Sequence, residues 1–91
     1  MNYKYNEDTI INEIKEYVDS TYGEHYSDSQ IQAMEYIVST GNGRGFCVGN
    51  IFKYLHRYGK KEGENIKDLY KVIHYALLLI HNEKLLLEEN E

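Results

Sequence analysis

Proline and tryptophan are absent from this 91-residue chain, phenylalanine occurs twice and cysteine once. Each scarcity excludes something. A lone Cys47 rules out an internal disulfide and points to a reducing compartment. Without proline, no segment of helical periodicity has to be broken or kinked. The longest apolar run, YALLLI at 75–80, is too short to span a bilayer, and the opening MNYKYNEDTI holds no apolar signal region. The expectation is therefore an intracellular chain with no membrane partner. Its size suits one small domain, whose limited core makes it marginal as a lone monomer.

What the chain does have is tyrosine, ten of them. Each ring offers an apolar body and a polar tip, which suits ligand contact and the rim of a small core alike. The net charge of −5 disfavours nonspecific binding to nucleic acid or anionic membranes. Charge is nevertheless uneven. From Tyr36 to Lys61 there is no acidic residue, while Arg44, Lys53, Arg57, Lys60 and Lys61 supply five of the ten basic side chains. A basic middle between acidic ends reads as a local anion site, or as a solvated face.

Apolar spacing predicts an all-α chain, a small bundle of about four helices. The first, about 8–21, aligns Ile10, Ile11, Ile14, Tyr17 and Val18. The second opens on SDSQ, where Ser27 and Gln30 have capping-box spacing, and runs through Ile31, Met34, Ile37 and Val38 to Gly41. A third, about 46–58, is expected to bury Val48, Ile51, Phe52 and Leu55, and the fourth, about 65–88, to bury Ile66, Leu69, Tyr70, Ile73, Leu77 and Ile80. Val72, Leu79 and Leu86 add a flank at seven-residue spacing, wide enough to suggest that a second copy of the chain packs there.

The stretch TGNGRGFCVGN, 40–50, carries four of the seven glycines. It lacks the Lys-Ser/Thr of a nucleoside-triphosphate loop, and a helix rather than a strand precedes it, so neither phosphate-binding fingerprint applies. A helix–helix turn accounts for Gly41 and Gly43. The N-terminus of the third helix would still attract an anion, with Arg44 beside it.

Beyond the turn, Phe46, Asn50, Lys53, Tyr54 and Arg57 share one side of the third helix, and Asp68, Lys71 and Tyr75 one side of the fourth. Arginine grips phosphate bidentately, lysine adds a compact charge and tyrosine stacks a base. The alternative is two ordinary polar exteriors. Glu13, Glu16 and Asp19 form an ExxExxD run, but no second acidic pair stands on the fourth helix, and a solvated face explains it. The spread of His56, His74 and His81 with Cys47 gives no zinc spacing.

His25-Tyr26, IQAMEYI (31–37) and FCVGNIFKYLHRYGKKEGENIKDLYKVIHYALLLI (46–80) together resemble a small bacteriophage family, catalogued as a domain of unknown function and labelled SaV-like or "nucleotide kinase". The family outline falls on His25, Tyr26, Gly49, Asn50, Lys53, Tyr54, Arg57, Lys60 or Lys61, Asp68, Leu69, Lys71 and Tyr75. Gln32 replaces a common Glu, Glu35 a common Asp, and the GNGRG turn is richer in glycine. The resemblance implies a helical domain at 25–91 behind an N-terminal helical extension at 1–24, in the cytoplasm of an infected bacterial host. It implies a nucleotide-type ligand held by His25, Tyr26, Asn50, Lys53, Tyr54, Arg57, Lys60, Lys61, Asp68, Lys71 and Tyr75, together with Arg44. Sequestration without catalysis and without a cofactor is the first reading, an immune signal being one such ligand. A nucleoside monophosphate kinase, which would add Mg2+, is the second. A regulator contacting nucleic acid or a host protein is the third, and the acidic flanks oppose its nucleic-acid form.

Overall fold

The computed structural model describes residues 1–24, 28–61 and 63–89, and within them the side chains of all but residue 24 and residues 28–32. It is all-α among these residues, with four helices: α1 (Glu7–Glu24), α2 (Asp28–Ser39), α3 (Gly43–Arg57) and α4 (Ile66–Glu89). His25, Tyr26 and the expected cap Ser27 lie outside the described residues, as does the side chain of Gln30.

The turn between α2 and α3 follows from one glycine. Gly41 sits at φ +84°, a conformation that costs a side chain and suits glycine. Its N–H donates to Val38 O at 3.1 Å and the Asn42 N–H to Ile37 O at 3.2 Å, the paired bonds that close a helix at a left-handed residue. Asn65 starts α4, its Oδ1 accepting from the Lys67 N–H at 3.0 Å. Asp68, in the first turn of α4, turns its carboxylate toward Arg57.

The centre of the fold is the antiparallel pair α3–α4. Arg44, near the start of α3, reaches Glu83 late in α4, and Arg57 at the end of α3 reaches Asp68 at the start of α4. α2 packs on α3 and α1 on α4. Tyr17 of α1 places its ring 5.7 Å from Tyr70 and 6.0 Å, edge-on, from His74, while the Tyr70 hydroxyl donates to Glu13 Oε2 at 3.0 Å.

The faces that meet are not those the apolar spacing selects. α3 turns Gly43, Cys47, Asn50, Tyr54 and Arg57 toward α4, and Phe52 and Leu55 stand outside, 66% and 54% exposed. On α4, Ile66, Ile73, Leu77 and Ile80 are exposed, while Asp68, His74 and Asn82 are buried. The expected burial of Phe52, Leu55, Ile66, Ile73, Leu77 and Ile80 is therefore corrected. So is the outward placement of Val72 and Leu79, which are half-buried. The physical reason lies in three cross-helix attachments: the Arg44–Glu83 clamp, the Arg57–Asp68 ion pair and the Tyr54–Tyr75 ring stack all use the more polar line of each helix.

Among the described residues only Ile14 and Cys47 are buried apolar side chains. Burial pushes the Cys47 thiol above its ordinary pKa, so it is an inert packing residue. No helix among the described residues is long and apolar enough to cross a membrane.

Candidate functional site

The α3–α4 face gathers rings and cations around Tyr54. Its ring lies nearly parallel to that of Tyr75, 13° between planes and 5.9 Å between centroids. Phe46, two turns earlier on α3, meets Tyr75 edge-on at 5.8 Å. Lys53 Nζ stands 5.1 Å and Lys71 Nζ 4.9 Å from the centre of the Tyr54 ring, with the Arg57 guanidinium at 6.0 Å. The i, i+1 and i+4 positions of α3 and position 71 of the facing helix thus converge on one ring. The negative face of an aromatic ring attracts each cation and holds them near one another.

These cations are not equally available. Arg57 Nε lies 3.5 Å from Asp68 Oδ1, and the Asp68 side chain is 2% exposed. Neither Arg57 Nε nor Asp68 Oδ2 has a hydrogen-bond partner, so the pair is held by charge at a slightly long distance. Lys53 and Lys71 make no ion pair with any described carboxylate; their contacts are with the ring. Among the described residues, the balance around Tyr54 is two lysines and an arginine against one aspartate.

The other expected site residues fall into two groups. Asn50 is near the cluster, but its amide donates to Phe46 O at 2.8 Å and so ties up its own helix. Lys60 donates to His56 O at 3.1 Å at the end of α3, and Lys61 is exposed beside it. Arg44 stands nine residues before Lys53, about 14 Å along the helix. Both its Nε and Nη2 grip Glu83, at 2.7 and 2.6 Å. A concavity of about 590 Å³ does open there, lined by Val38, Gly41, Asn42, Asn82, Leu86 and Glu89 among others. With Glu89 on its wall and Arg44 already neutralised, it offers a phosphate little. The rings and lysines of the Tyr54 cluster are the better-matched surface.

Sequence reasoning missed the contribution of α1. Tyr17 was placed on an apolar stripe, and its meeting with Tyr70 and His74 depends on how α1 crosses α4. His74 in turn lies 6.3 Å from Tyr75, linking this packing to the cluster. Burial lowers the His74 pKa below its ordinary value, so the folded chain keeps the ring neutral. Acid therefore favours the unfolded state: stability is fully present above the unfolded pKa of about 6.5 and declines as the pH falls toward the folded value. Unfolding free energies from urea titrations at pH 7 to 5 should drop, by at most about 1.4 kcal/mol per pH unit, and His74→Phe should flatten the slope.

Residues 20–77, a span covering α3 and the first half of α4, match DUF3310, a family described as proteins of unknown function. The chain belongs to that family. Within this DUF3310 chain the match includes Lys53, Tyr54, Arg57, Asp68, Lys71 and Tyr75, and it leaves out most of α1 and the end of α4. No curated protein and no solved structure matches the chain.

Proposed function

We propose that the Tyr54 cluster of this DUF3310 chain binds a phosphorylated nucleotide-type ligand and retains it unchanged. One observation carries the reading: two lysines without a partner among the described carboxylates stand within about 5 Å of a tyrosine that is itself ring-stacked. Phosphate recognition calls for such cations, and a base calls for such rings. In this arrangement Lys53 and Lys71 meet the phosphate, Tyr54 and Tyr75 supply the stacking surface, and Arg57 is anchored by Asp68 as a fixed positive boundary.

Retention is preferred to phosphoryl transfer because a kinase must also place carboxylates on magnesium. Asp68 is buried against Arg57, and Glu35 lies on α2, which packs on α3. That donor set does not fit a magnesium site. With the phage resemblance, the reading becomes an accessory protein that captures a nucleotide in the infected cell, a nucleotide immune signal included.

Equilibrium dialysis against labelled nucleoside mono-, di- and triphosphates and a cyclic dinucleotide tests the proposal. Lys53→Ala and Lys71→Ala should each weaken binding roughly tenfold, the scale of one charge-assisted contact. Tyr54→Leu should weaken it more than it weakens inorganic phosphate competition, because the base loses its stacking surface while the lysines keep their charge. Uptake should stop at one ligand per site with the ligand recovered intact; turnover beyond the protein present would establish the kinase instead. Binding that both lysine variants retain in full would place the site elsewhere.

A further inference from the structure

The chain exposes 7169 Å², whereas a folded monomer of its mass exposes about 5,500 Å². Its radius of gyration is 14.8 Å against about 12 Å for a compact domain of this length. The excess surface, roughly 1,600 Å², is twice what one partner contributes to a standard stable interface, about 800 Å².

Part of that excess is ordered along α4. Ile66, Ile73, Ile80 and Leu87 recur every seven residues and are 51%, 36%, 53% and 67% exposed. Leu77, 46% exposed, fills the same stripe. At about 100° per residue this seam is nearly opposite the line of Asp68, Tyr75 and Asn82 that meets α3. α1 touches α4 along one edge of this stripe, through Tyr70, seven residues before Leu77, and through His74, and it leaves Ile66, Ile73 and Leu77 exposed. A heptad-spaced apolar seam on an outer helix face is the pattern by which two helices pack knobs into holes.

We infer that a second copy of this chain covers the seam, α4 against α4, in an antiparallel twofold dimer. Charge selects the direction. Lys67 lies near the start of α4, and Glu88 and Glu89 lie at its end, all exposed. Antiparallel packing about Leu77 brings Lys67 beside the acidic end of the partner, whereas parallel packing stacks like charges at both ends. The helix dipoles favour the same choice. A twofold contact of this kind satisfies both copies with one patch and closes on itself. The Tyr54 cluster lies on the α3 side of α4 and stays open, so the inference stands apart from any ligand.

Sedimentation equilibrium of the full chain should give a doubled mass that falls to one chain on dilution. Ile73→Asp and Ile80→Asp should each yield monomers at every concentration with unchanged helical circular dichroism, since both positions are exposed in the single chain. Direction is read in a Cys47→Ser background. Ile66→Cys and Leu87→Cys chains should form a disulfide when mixed and oxidised, and neither should do so alone. A wild-type chain that is monomeric throughout, an assembly indifferent to both aspartates, or crosslinking of Leu87→Cys chains to themselves would overturn the antiparallel dimer.

Discussion

Arg57→Ala should destabilise the chain by about 2–3 kcal/mol, and adding Asp68→Asn should return most of that loss. The Asp68 side chain is 2% exposed and faces Arg57 across the α3–α4 pair. Removing the cation strands a carboxylate away from water, and a buried ion whose partner is deleted costs several kcal/mol. The lower part of that range applies here. The N–O distance is 3.5 Å and the Arg57 side chain is 25% exposed, so water already screens part of the attraction. Asp68→Asn alone should cost less, about 1 kcal/mol, because the remaining guanidinium has solvent access. Urea unfolding of the two single variants and the double variant gives the coupling directly. Equal losses for the two single variants, adding in the double, would show that charge does not hold this junction. The same set separates support from recognition. If Arg57 touches ligand phosphate, Arg57→Ala weakens binding beyond what Asp68→Asn does at equal folded fraction.

The helices were legible because no proline interrupts the periodicity and because glycines stand where the chain turns. Gly41 is the clearest case, since its positive φ is the turn. α3 begins at Gly43, three residues before its expected start, because its first turn is anchored by tertiary contacts that override the poor helix propensity of Gly43 and Gly45. Which face of each helix meets its neighbour was not legible. Apolar periodicity ranks Phe52 and Leu55 above Tyr54 and Arg57, yet a tyrosine or arginine can fill a helix interface with its stem and ring and satisfy its polar end across the gap. Both lines of α3 and of α4 can pack. The choice was made by pairs distant in sequence, Arg44 with Glu83 and Arg57 with Asp68, and one strand of sequence cannot show which charges will pair. The same property hid the site's geometry. Lys53, Tyr54, Arg57, Lys71 and Tyr75 were each identifiable by residue type, whereas their convergence on a single ring needed the registry of α3 against α4.

That registry also sets opposite signs for substitutions within one glycine-rich stretch. Gly43→Ala should destabilise by about 1–2 kcal/mol, while Gly49→Ala should stabilise by about 0.5–1 kcal/mol. Both residues lie in α3, so helix propensity alone favours alanine at each. Space decides otherwise. A Cβ on Gly43 would stand 2.5 Å from Asn82 Oδ1, 3.1 Å from its Cγ and 3.3 Å from Val38 Cγ2. Asn82 is 8% exposed, so its amide has little room to swing away, and α4 itself must shift. At Gly49 nothing lies within 4 Å of the added carbon. Thermal or urea unfolding of the two alanine variants checks the sign. Gly43→Ala combined with Asn82→Ala should cost less than the sum of the two, because the second change removes the atoms that clash. Stabilisation by Gly43→Ala would mean that α3 and α4 do not approach this closely, and the alignment that brings Lys71 over Tyr54 would have to be redrawn.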